Sequence, residues 1–274
     1  MKIVSMSFHF AAGLCLLTLS PILSAQQAAN QFQWPEGKRV AVSLSFDDAR
    51  ASQVDVGLPL IDKYGAKVTF FVNSPAVRNK LEGWKKVVAS GHEIGNHTRT
   101  HPCTVNYNFS SRNALEDLTL ERMAEEMDGN NADIEQLLGV KMVTFAFPCG
   151  EKFVGRGLDY RSYVPVEAAR FLAARGFLDE GPNDPVRGDL AQVTGMVSDA
   201  KTFEELKSLT TRAANEHAWL CFAGHDIGTR PGSQVTNVDA LEQYLKYAAD
   251  PANGIWLDTV KSVATYIKAQ KKPN

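Results

Sequence analysis

The chain has 274 residues, of which 44% are hydrophobic and 22% are charged, with 29 Lys and Arg against 31 Asp and Glu. This composition is typical of a globular protein and argues against a disordered, collagen-like or disulfide-packed chain. The formal net charge of −2 argues against nucleic acid as a partner, because binding nucleic acid requires a basic surface. A chain of this length buries enough surface to fold without a structural metal, so a metal, if bound, is expected to serve chemistry.

Residues 1–25 have the pattern of a secretory signal peptide. Lys2 precedes an apolar run over residues 10–19, and Ala25 provides a cleavage site, with Ala28 or Ala29 as alternatives. The apolar run is about half of the roughly 20 residues that a membrane-spanning helix needs, so no membrane anchor is expected after cleavage. The sequence therefore predicts an extracytoplasmic protein, either secreted or periplasmic.

From residue 38 onward, short β-prone runs alternate with helical patterns, which indicates repeated βα units and a largely parallel sheet. Strands are predicted at 39–46, 67–72, 92–96, 142–147, 218–223 and 255–257. Helices are predicted at 54–64, 84–89, 115–138, 165–175, 203–215, 238–248 and 258–269, and loops over 177–200. No linker interrupts residues 36–270, which favours a single barrel-like domain over that range.

Two polar motifs directly follow predicted strands. Asp47 and Asp48 follow the first strand, and His97 and His101 follow the third. In parallel barrels the carboxyl ends of the strands are where catalytic residues gather, although an Asp after a strand also commonly caps the next helix. Two imidazoles four residues apart can converge on one ion, either in a helical turn or in a tight loop. With one carboxylate they form a set that suits a hydrolytic divalent metal.

Two further motifs follow later strands. A Pro-X-Gly turn ends at Gly150, and its backbone N–H groups could stabilise a developing oxyanion or simply form an ordinary turn. His225 follows the apolar strand at 218–223, where a histidine acts either as a hydrogen-bonded structural residue or as a group titrating near neutrality.

Taken together, the motifs in this order resemble the polysaccharide deacetylase family, carbohydrate esterase family 4. The likeness spans about residues 38–227, is strong up to Gly150, and is thin from there to Trp219. The four motifs are Ser45–Asp48 (SFDD), His97–His101 (HTRTH), Ala146–Gly150 (AFPCG) and Phe222–His225 (FAGH).

This resemblance implies a single distorted (β/α) barrel of about seven strands and a metal-dependent removal of acetyl groups from sugars. By the resemblance, Asp47 is the general base, and Asp48, His97 and His101 are the ligands of a divalent metal. His225 is then the general acid, and the backbone N–H of Cys149 is an oxyanion donor. Zn²⁺ is the first candidate for the metal, with Co²⁺, Mn²⁺ or Ni²⁺ as alternatives.

The sequence departs from the family pattern at two places. The family's third motif usually carries an Arg that orients the base carboxylate, and Ala146 stands at that position. Arg99 or another Arg would have to supply this charge. Otherwise the reactivity of the base carboxylate is set by other groups, or the activity is weak. The acidic partner of the late His is also not located by its motif, and Asp189 and Asp199 are the candidates.

The expected function is removal of N- or O-linked acetyl groups from a polysaccharide or oligosaccharide such as chitin, peptidoglycan or xylan, by a protein that acts as a monomer. One alternative is a carbohydrate-binding relative that retained the fold without catalysis, which the missing motif Arg suggests. Another is a hydrolase of small cyclic amides, because such enzymes share this fold. The signal peptide favours a polymer outside the cytoplasm.

Three cysteines remain after signal cleavage. Cys103 follows His101-Pro102, and Cys149 lies in the predicted oxyanion turn, so both are expected near the same rim. A disulfide between them and two independent side chains are both compatible with the sequence. Cys221 is expected to pack within its strand.

Overall fold

The computed structural model describes residues 32–271, so the predicted signal peptide at 1–25 lies outside the described residues. A parallel sheet of eight strands forms the centre of the described part of the chain. These strands are β1 (Val40–Asp47), β2 (Thr69–Val72), β3 (Glu93–Asn96), β4 (Thr144–Ala146), β7 (Ala173–Arg175), β8 (Met196–Val197), β9 (Trp219–Gly224) and β12 (Ile255–Leu257). Two short pairs outside the sheet are β5 (Phe153–Val154) with β6 (Arg161–Ser162), and β10 (Asp226–Gly228) with β11 (Val235–Asn237).

The strand order is β7-β4-β3-β2-β1-β9-β8, and β12 also pairs with the start of β1. Beyond β7, Arg175 makes an isolated parallel bridge with Val193, three residues before β8 begins. This contact brings the two outer strands of the sheet towards each other. The sheet therefore curls into a distorted barrel.

Helices pack against the sheet, most of them on its outer face, whereas the last one packs against the inner-face residues Ala41, Phe71 and Ala146. The helices are α1 (Leu58–Lys63), α2 (Ser74–Asn79), α3 (Leu81–Ala89), α4 (Leu120–Leu138), α5 (Val164–Ala168), α6 (Phe203–Asn215), α7 (Val238–Ala249) and α8 (Val260–Gln270). Short helical turns lie at Pro35–Gly37, Gln53–Gly57, Asn108–Ser110, Leu115–Asp117, Pro148–Gly150, Gly157–Asp159, Leu190–Gln192 and Pro251–Asn253. Within the described residues, none of these helices combines the length and the apolar character needed to cross a membrane.

Apolar and small polar side chains alternate along β1, so one face of the strand packs in the hydrophobic core and the other faces the inside of the barrel. Val42, Leu44 and Phe46 belong to the hydrophobic layer between sheet and helices, whereas Ser43 and Ser45 alternate with them and are also buried. Because side chains alternate between the faces of a strand, these small polar residues face the inside of the barrel. Their hydroxyls are hydrogen-bonded there, for example Ser45 Oγ to the Phe222 carbonyl at 2.5 Å.

Two predictions are partly wrong, the helix at 165–175 and the loops over 177–200, because these segments contain strands β7 and β8, and several other elements have different bounds. The helix predicted at 165–175 ends at Ala168, and Ala173–Arg175 is strand β7, paired with β4. The Ala and Arg residues there favour a helix, but pairing with a buried strand overrides such weak local preferences. The long helix predicted from residue 115 begins at Leu120, and the helix predicted at 54–64 begins with one wide turn at Gln53–Gly57.

Candidate active site

The side chains singled out from the sequence meet at the carboxyl ends of the central strands. They line one cavity of about 330 Å³, here called the strand-end cavity. Its lining includes Asp47, Asp48, His97, His101, Cys149 and His225. Four motifs that are far apart in sequence thus converge because the parallel strands that precede them end at one edge of the sheet.

Asp48, His97 and His101 place three possible ligand atoms close together. Asp48 Oδ1 lies 3.5 Å from His97 Nε2 and 3.3 Å from His101 Nε2, and the three ligand atoms all lie within 4.8 Å of one another. Two ligands of one tetrahedral ion, each about 2.0–2.1 Å from it, lie roughly 3.3 Å apart. The residues therefore fit a divalent metal such as zinc.

Neighbouring groups orient these ligands. His97 Nδ1 is 2.9 Å from the Ala146 carbonyl oxygen and donates to it, which turns the lone pair of Nε2 towards Asp48. Arg50 donates to Asp48 Oδ2 from Nε at 3.2 Å and from Nη2 at 2.9 Å, so the other carboxylate oxygen remains available. The same guanidinium also pairs with Asp226 at 2.7 Å.

The two histidines converge from a loop and not from a helix. Thr98 and His101 have φ values of 57° and 54°, and Asp48 has a φ of 75°. These left-handed conformations are costly for residues with a side chain and tend to persist where the surrounding structure fixes them, often at functional sites. The backbone after β1 and after β3 is therefore bent so that Asp48 and His101 point into the strand-end cavity.

Burial and neighbouring charges set the protonation of this cluster. Burial lowers the pKa of His101 to about 4, with help from the nearby His97. Burial would raise the pKa of Asp48, but the hydrogen bond from His97 and the charges of His97 and His101 hold it well below its usual value. At neutral pH the cluster thus offers a carboxylate and a neutral His101 imidazole, the forms that bind metals.

Arg175, which no sequence motif marks, pairs with Asp47. Arg175 Nη2 donates to Asp47 Oδ1, both side chains are buried, and the guanidinium lies 4.9 Å from the centre of the Phe71 ring. Arg175 is the parallel partner of Ala146 in the β4 and β7 pairing. Partners in a sheet point to the same face, so Arg175 enters the barrel beside the position where the family's Arg would stand.

Arg99, the named candidate for this charge, does not reach Asp47. Its guanidinium pairs with Asp133 at 3.0 Å, and its side chain is half exposed. Arg175 was missed because it lies within the segment 165–175 that was predicted to be a helix, and no local motif marks it.

His225 is held by Asp199. Its Nδ1 lies 2.6 Å from Asp199 Oδ2, and its backbone N–H donates to Asp199 Oδ1 at 3.1 Å. Burial lowers the pKa of His225, but the hydrogen bond to Asp199 and the charges of Asp47 and Asp48 raise it by more, so the net shift is upward. The other candidate, Asp189, is exposed and caps the turn at Leu190–Gln192.

A disulfide joins two loops beside the cavity. Cys103 and Cys149 are bonded, with their Cα atoms 6.0 Å apart, so the expectation of a disulfide between them is confirmed and that of independent side chains is wrong. Cys149 has a φ of 55° in the turn that follows β4. Cys221 is a free and buried cysteine in β9, as expected.

Comparisons with known proteins agree with the motifs. Residues 35–159 match the family model described as polysaccharide deacetylase. The chain is similar to an uncharacterised protein, YlxY, of Bacillus subtilis, with 40% identity over 93 residues (34% of this chain and 26% of that protein). It is also similar to chitin deacetylase 1 of Cryptococcus neoformans, with 31% identity over 108 residues (39% of this chain and 21% of that protein). The chain thus spans about a quarter of the length of either relative.

Among solved structures, the fold is similar to that of a putative polysaccharide deacetylase from Mycobacterium smegmatis. The TM-score is 0.65 at 18% sequence identity, over 89% of this chain and 96% of the other. At this identity the match bears on the fold, and it confirms the predicted (β/α) barrel. The resemblance to the polysaccharide deacetylase family is confirmed, and residues 35–159 are the segment that matches the family model.

Proposed function

We propose that this protein is an exported, metal-dependent deacetylase that removes N- or O-linked acetyl groups from a carbohydrate. One observation carries the proposal: a single cavity of about 330 Å³ holds a set of possible metal ligands, a carboxylate paired with a buried Arg, and a His–Asp pair. These are the groups that acetyl transfer to water requires.

Asp48, His97 and His101 would hold the divalent ion, with Zn²⁺ as the first candidate and Co²⁺, Mn²⁺ or Ni²⁺ as alternatives. When bound, such an ion supplies a Lewis acid that polarises the acetyl carbonyl and makes water easier to deprotonate. Arg50 would assist by holding the second oxygen of Asp48, which leaves the first for the ion.

Asp47 would act as the general base. It precedes the ligand Asp48 directly, lines the same cavity, and is held by Arg175 through Oδ1. A charged partner that fixes one oxygen leaves Oδ2 to accept the proton of the attacking water in a defined direction. Arg175 would therefore be a positioning residue for the base.

His225 would act as the general acid. Its Nδ1 is engaged by Asp199, so Nε2 is the atom that would deliver a proton to the departing amine or alcohol. Because the pKa of His225 is raised, the imidazole stays protonated to a higher pH than an ordinary histidine. The backbone N–H of Cys149, in the turn after β4, would stabilise the oxyanion that forms during attack.

The substrate class rests on the relatives and on the expected export. Chitin deacetylase 1 acts, by its name, on chitin, and chitin, peptidoglycan and acetylated xylan are the polymers we propose to test first. Retention of every candidate site residue, together with an Arg paired with Asp47, argues against a relative that binds carbohydrate without catalysis.

The decisive experiment measures acetate release from chitin oligomers, peptidoglycan and acetylated xylan, with Zn²⁺, Co²⁺ or Mn²⁺ and with a chelator. We expect release from at least one substrate, its loss with chelator, and its loss in Asp47→Asn. Release that is indifferent to chelator would overturn the metal mechanism. Release from none of the substrates, with carbohydrate binding retained in Asp47→Asn, would favour the non-catalytic alternative.

A further inference from the structure

A second cavity of about 360 Å³ is lined by residues that directly follow the two cysteines of the disulfide. Cys149 lines the strand-end cavity, and the next residue, Gly150, lines the second one. On the other side of the bond, Thr104 lines the second cavity and directly follows Cys103. We call the second cavity the hairpin cavity, because the hairpin of β5 and β6 forms one wall. The two cavities are therefore lined by consecutive residues at the disulfide, Cys149 in one and Gly150 in the other.

The hairpin presents an aromatic surface to this cavity. Phe153 and Tyr160 both line it, and their rings stack on each other with centroids 4.5 Å apart at an angle of 10°. They are 40% and 54% exposed, although aromatic side chains of this size gain by being buried. Flat aromatic faces at the edge of a cavity pack against the apolar C–H face of a pyranose ring, so this pair is suited to a sugar.

The hairpin that carries this surface is held in place. Its residue Gly155 has a φ of 82°, and a Cβ there would lie 2.4 Å from the Asp159 carbonyl oxygen, so the turn requires glycine. The Gly155 N–H donates to the Leu115 carbonyl at 3.0 Å, and the Tyr163 hydroxyl donates to the Glu151 carbonyl at 2.5 Å. The aromatic pair is therefore presented on a fixed support, which lowers the entropy cost of binding.

The remaining wall is polar and acidic. Glu116 accepts hydrogen bonds from Thr104 Oγ1 and from the Val105 N–H, and Glu151 accepts one from the Thr104 N–H at 2.7 Å. These two carboxylates face the cavity with a single ammonium, that of Lys152. Such a wall offers acceptors to sugar hydroxyls and favours a neutral or cationic sugar over a uronic acid.

We propose that the hairpin cavity is a sugar-binding subsite, occupied by a neutral or amino-sugar residue of the same polymer whose acetylated residue lies in the strand-end cavity. This inference rests on the proposed function and deepens it, because it makes the substrate an oligomer and not a small cyclic amide. Its volume lies at the lower end of the roughly 300–1,000 Å³ that small-molecule sites occupy, as expected for one ring of a chain that continues into solvent.

The test compares substrates of increasing length. The protein and the double variant Phe153→Ala/Tyr160→Ala are assayed on N-acetylglucosamine oligomers and on acetylated xylo-oligosaccharides of one to six units. Loss of aromatic packing worth about 0.5–1.5 kcal/mol should raise KM roughly two- to tenfold for the long substrates and leave the monosaccharide unchanged. Leu158→Ala is the matched control, because Leu158 is 96% exposed in the same hairpin and does not line the cavity.

An equal rise of KM at every length, or no rise at any length, would overturn the subsite. Binding of a glucosamine hexamer, which carries no acetyl group, is measured by calorimetry on the same variants. Weaker binding by the double variant than by Leu158→Ala supports the subsite even if no substrate releases acetate, and equal binding overturns it. Failure of the proposed function is thus distinguishable from failure of this inference.

Discussion

Among single residues, the charge beside Asp47, the proposed base, lies on the strand next to the one that carries it in the family pattern. Ala146 stands where the family pattern has an Arg, and its sheet partner Arg175 supplies a guanidinium to Asp47. A small side chain at 146 leaves room for the long one at 175 on the same face. The pair is buried, so losing either partner would leave an uncompensated charge inside the barrel.

Arg175→Ala should lower kcat by roughly a hundredfold or more, because Asp47, the proposed base, loses the contact that orients it. Removing one partner of a buried pair also costs about 3–5 kcal/mol of stability, so thermal unfolding is recorded alongside turnover. Added guanidinium, or the relocating double variant Ala146→Arg/Arg175→Ala, should restore part of kcat. Arg175→Ala with normal turnover would refute the positioning role.

Asp199→Asn should narrow the pH range of activity on the alkaline side. Asp199 raises the pKa of His225, and a general acid works only while protonated. Without the carboxylate the pKa falls, so the alkaline limb of the kcat profile should move to lower pH. Asp189→Asn, at an exposed carboxylate that caps a turn, is the control and should leave the profile in place.

Arg50→Ala should weaken metal binding without removing a ligand. Arg50 holds Asp48 Oδ2, and loss of such an outer contact typically costs about 10–100-fold in metal affinity. Competition with a chelator measures this directly. Arg99→Ala removes an Arg that pairs with Asp133 at the surface, and its metal affinity should match that of the unaltered protein.

Among the elements, the sequence patterns predict the alternation of strands and helices well. They fail for short strands such as β7, which form only because they pair with a neighbouring strand. The motifs after β1, β3, β4 and β9 are local in sequence, so their residues could be named in advance. Arg175 could not, because its bond to Asp47 spans 128 positions and its strand has the local pattern of a helix. Asp199 was one of two candidates, and only the folded loop after β8 distinguishes it from Asp189.

The disulfide connects the loop after β3 to the turn after β4 and so restrains these two segments relative to each other. It closes a loop of 46 positions, a length at which a disulfide typically contributes about 2–4 kcal/mol. Cys103→Ser/Cys149→Ser should lower the free energy of unfolding by about that amount in chemical denaturation.

Reduction by a dithiol should have the same effect on the unaltered protein, and Cys221→Ser should not, because Cys221 is a free thiol. Thiol titration of the denatured, unreduced protein lacking residues 1–25 should detect one thiol. Three thiols would contradict the bond.

At the scale of the whole molecule, composition and length correctly predicted a fold with its own core. The barrel interior contains polar side chains near the end of β1 and an apolar cluster in which α8 packs against Ala41, Phe71 and Trp219, whereas the larger apolar layer lies outside, between sheet and helices. A fold that is already stable can accommodate left-handed residues and buried charges at one rim. The formal charge of −2 is also compatible with the neutral sugar that both cavities are proposed to take.

Strand β1 is paired with three other strands of the central sheet. It pairs with β9 along most of its course, with β2 at its end and with β12 at its start, so segments from both halves of the chain meet on it. Its amides should therefore exchange with solvent only when the entire molecule unfolds, and not through local opening. Asp47 and Asp48, at the end of β1, should therefore keep their positions as long as the molecule is folded. A destabilising substitution far from the strand ends should lower activity only by increasing the unfolded fraction, and not by displacing these carboxylates.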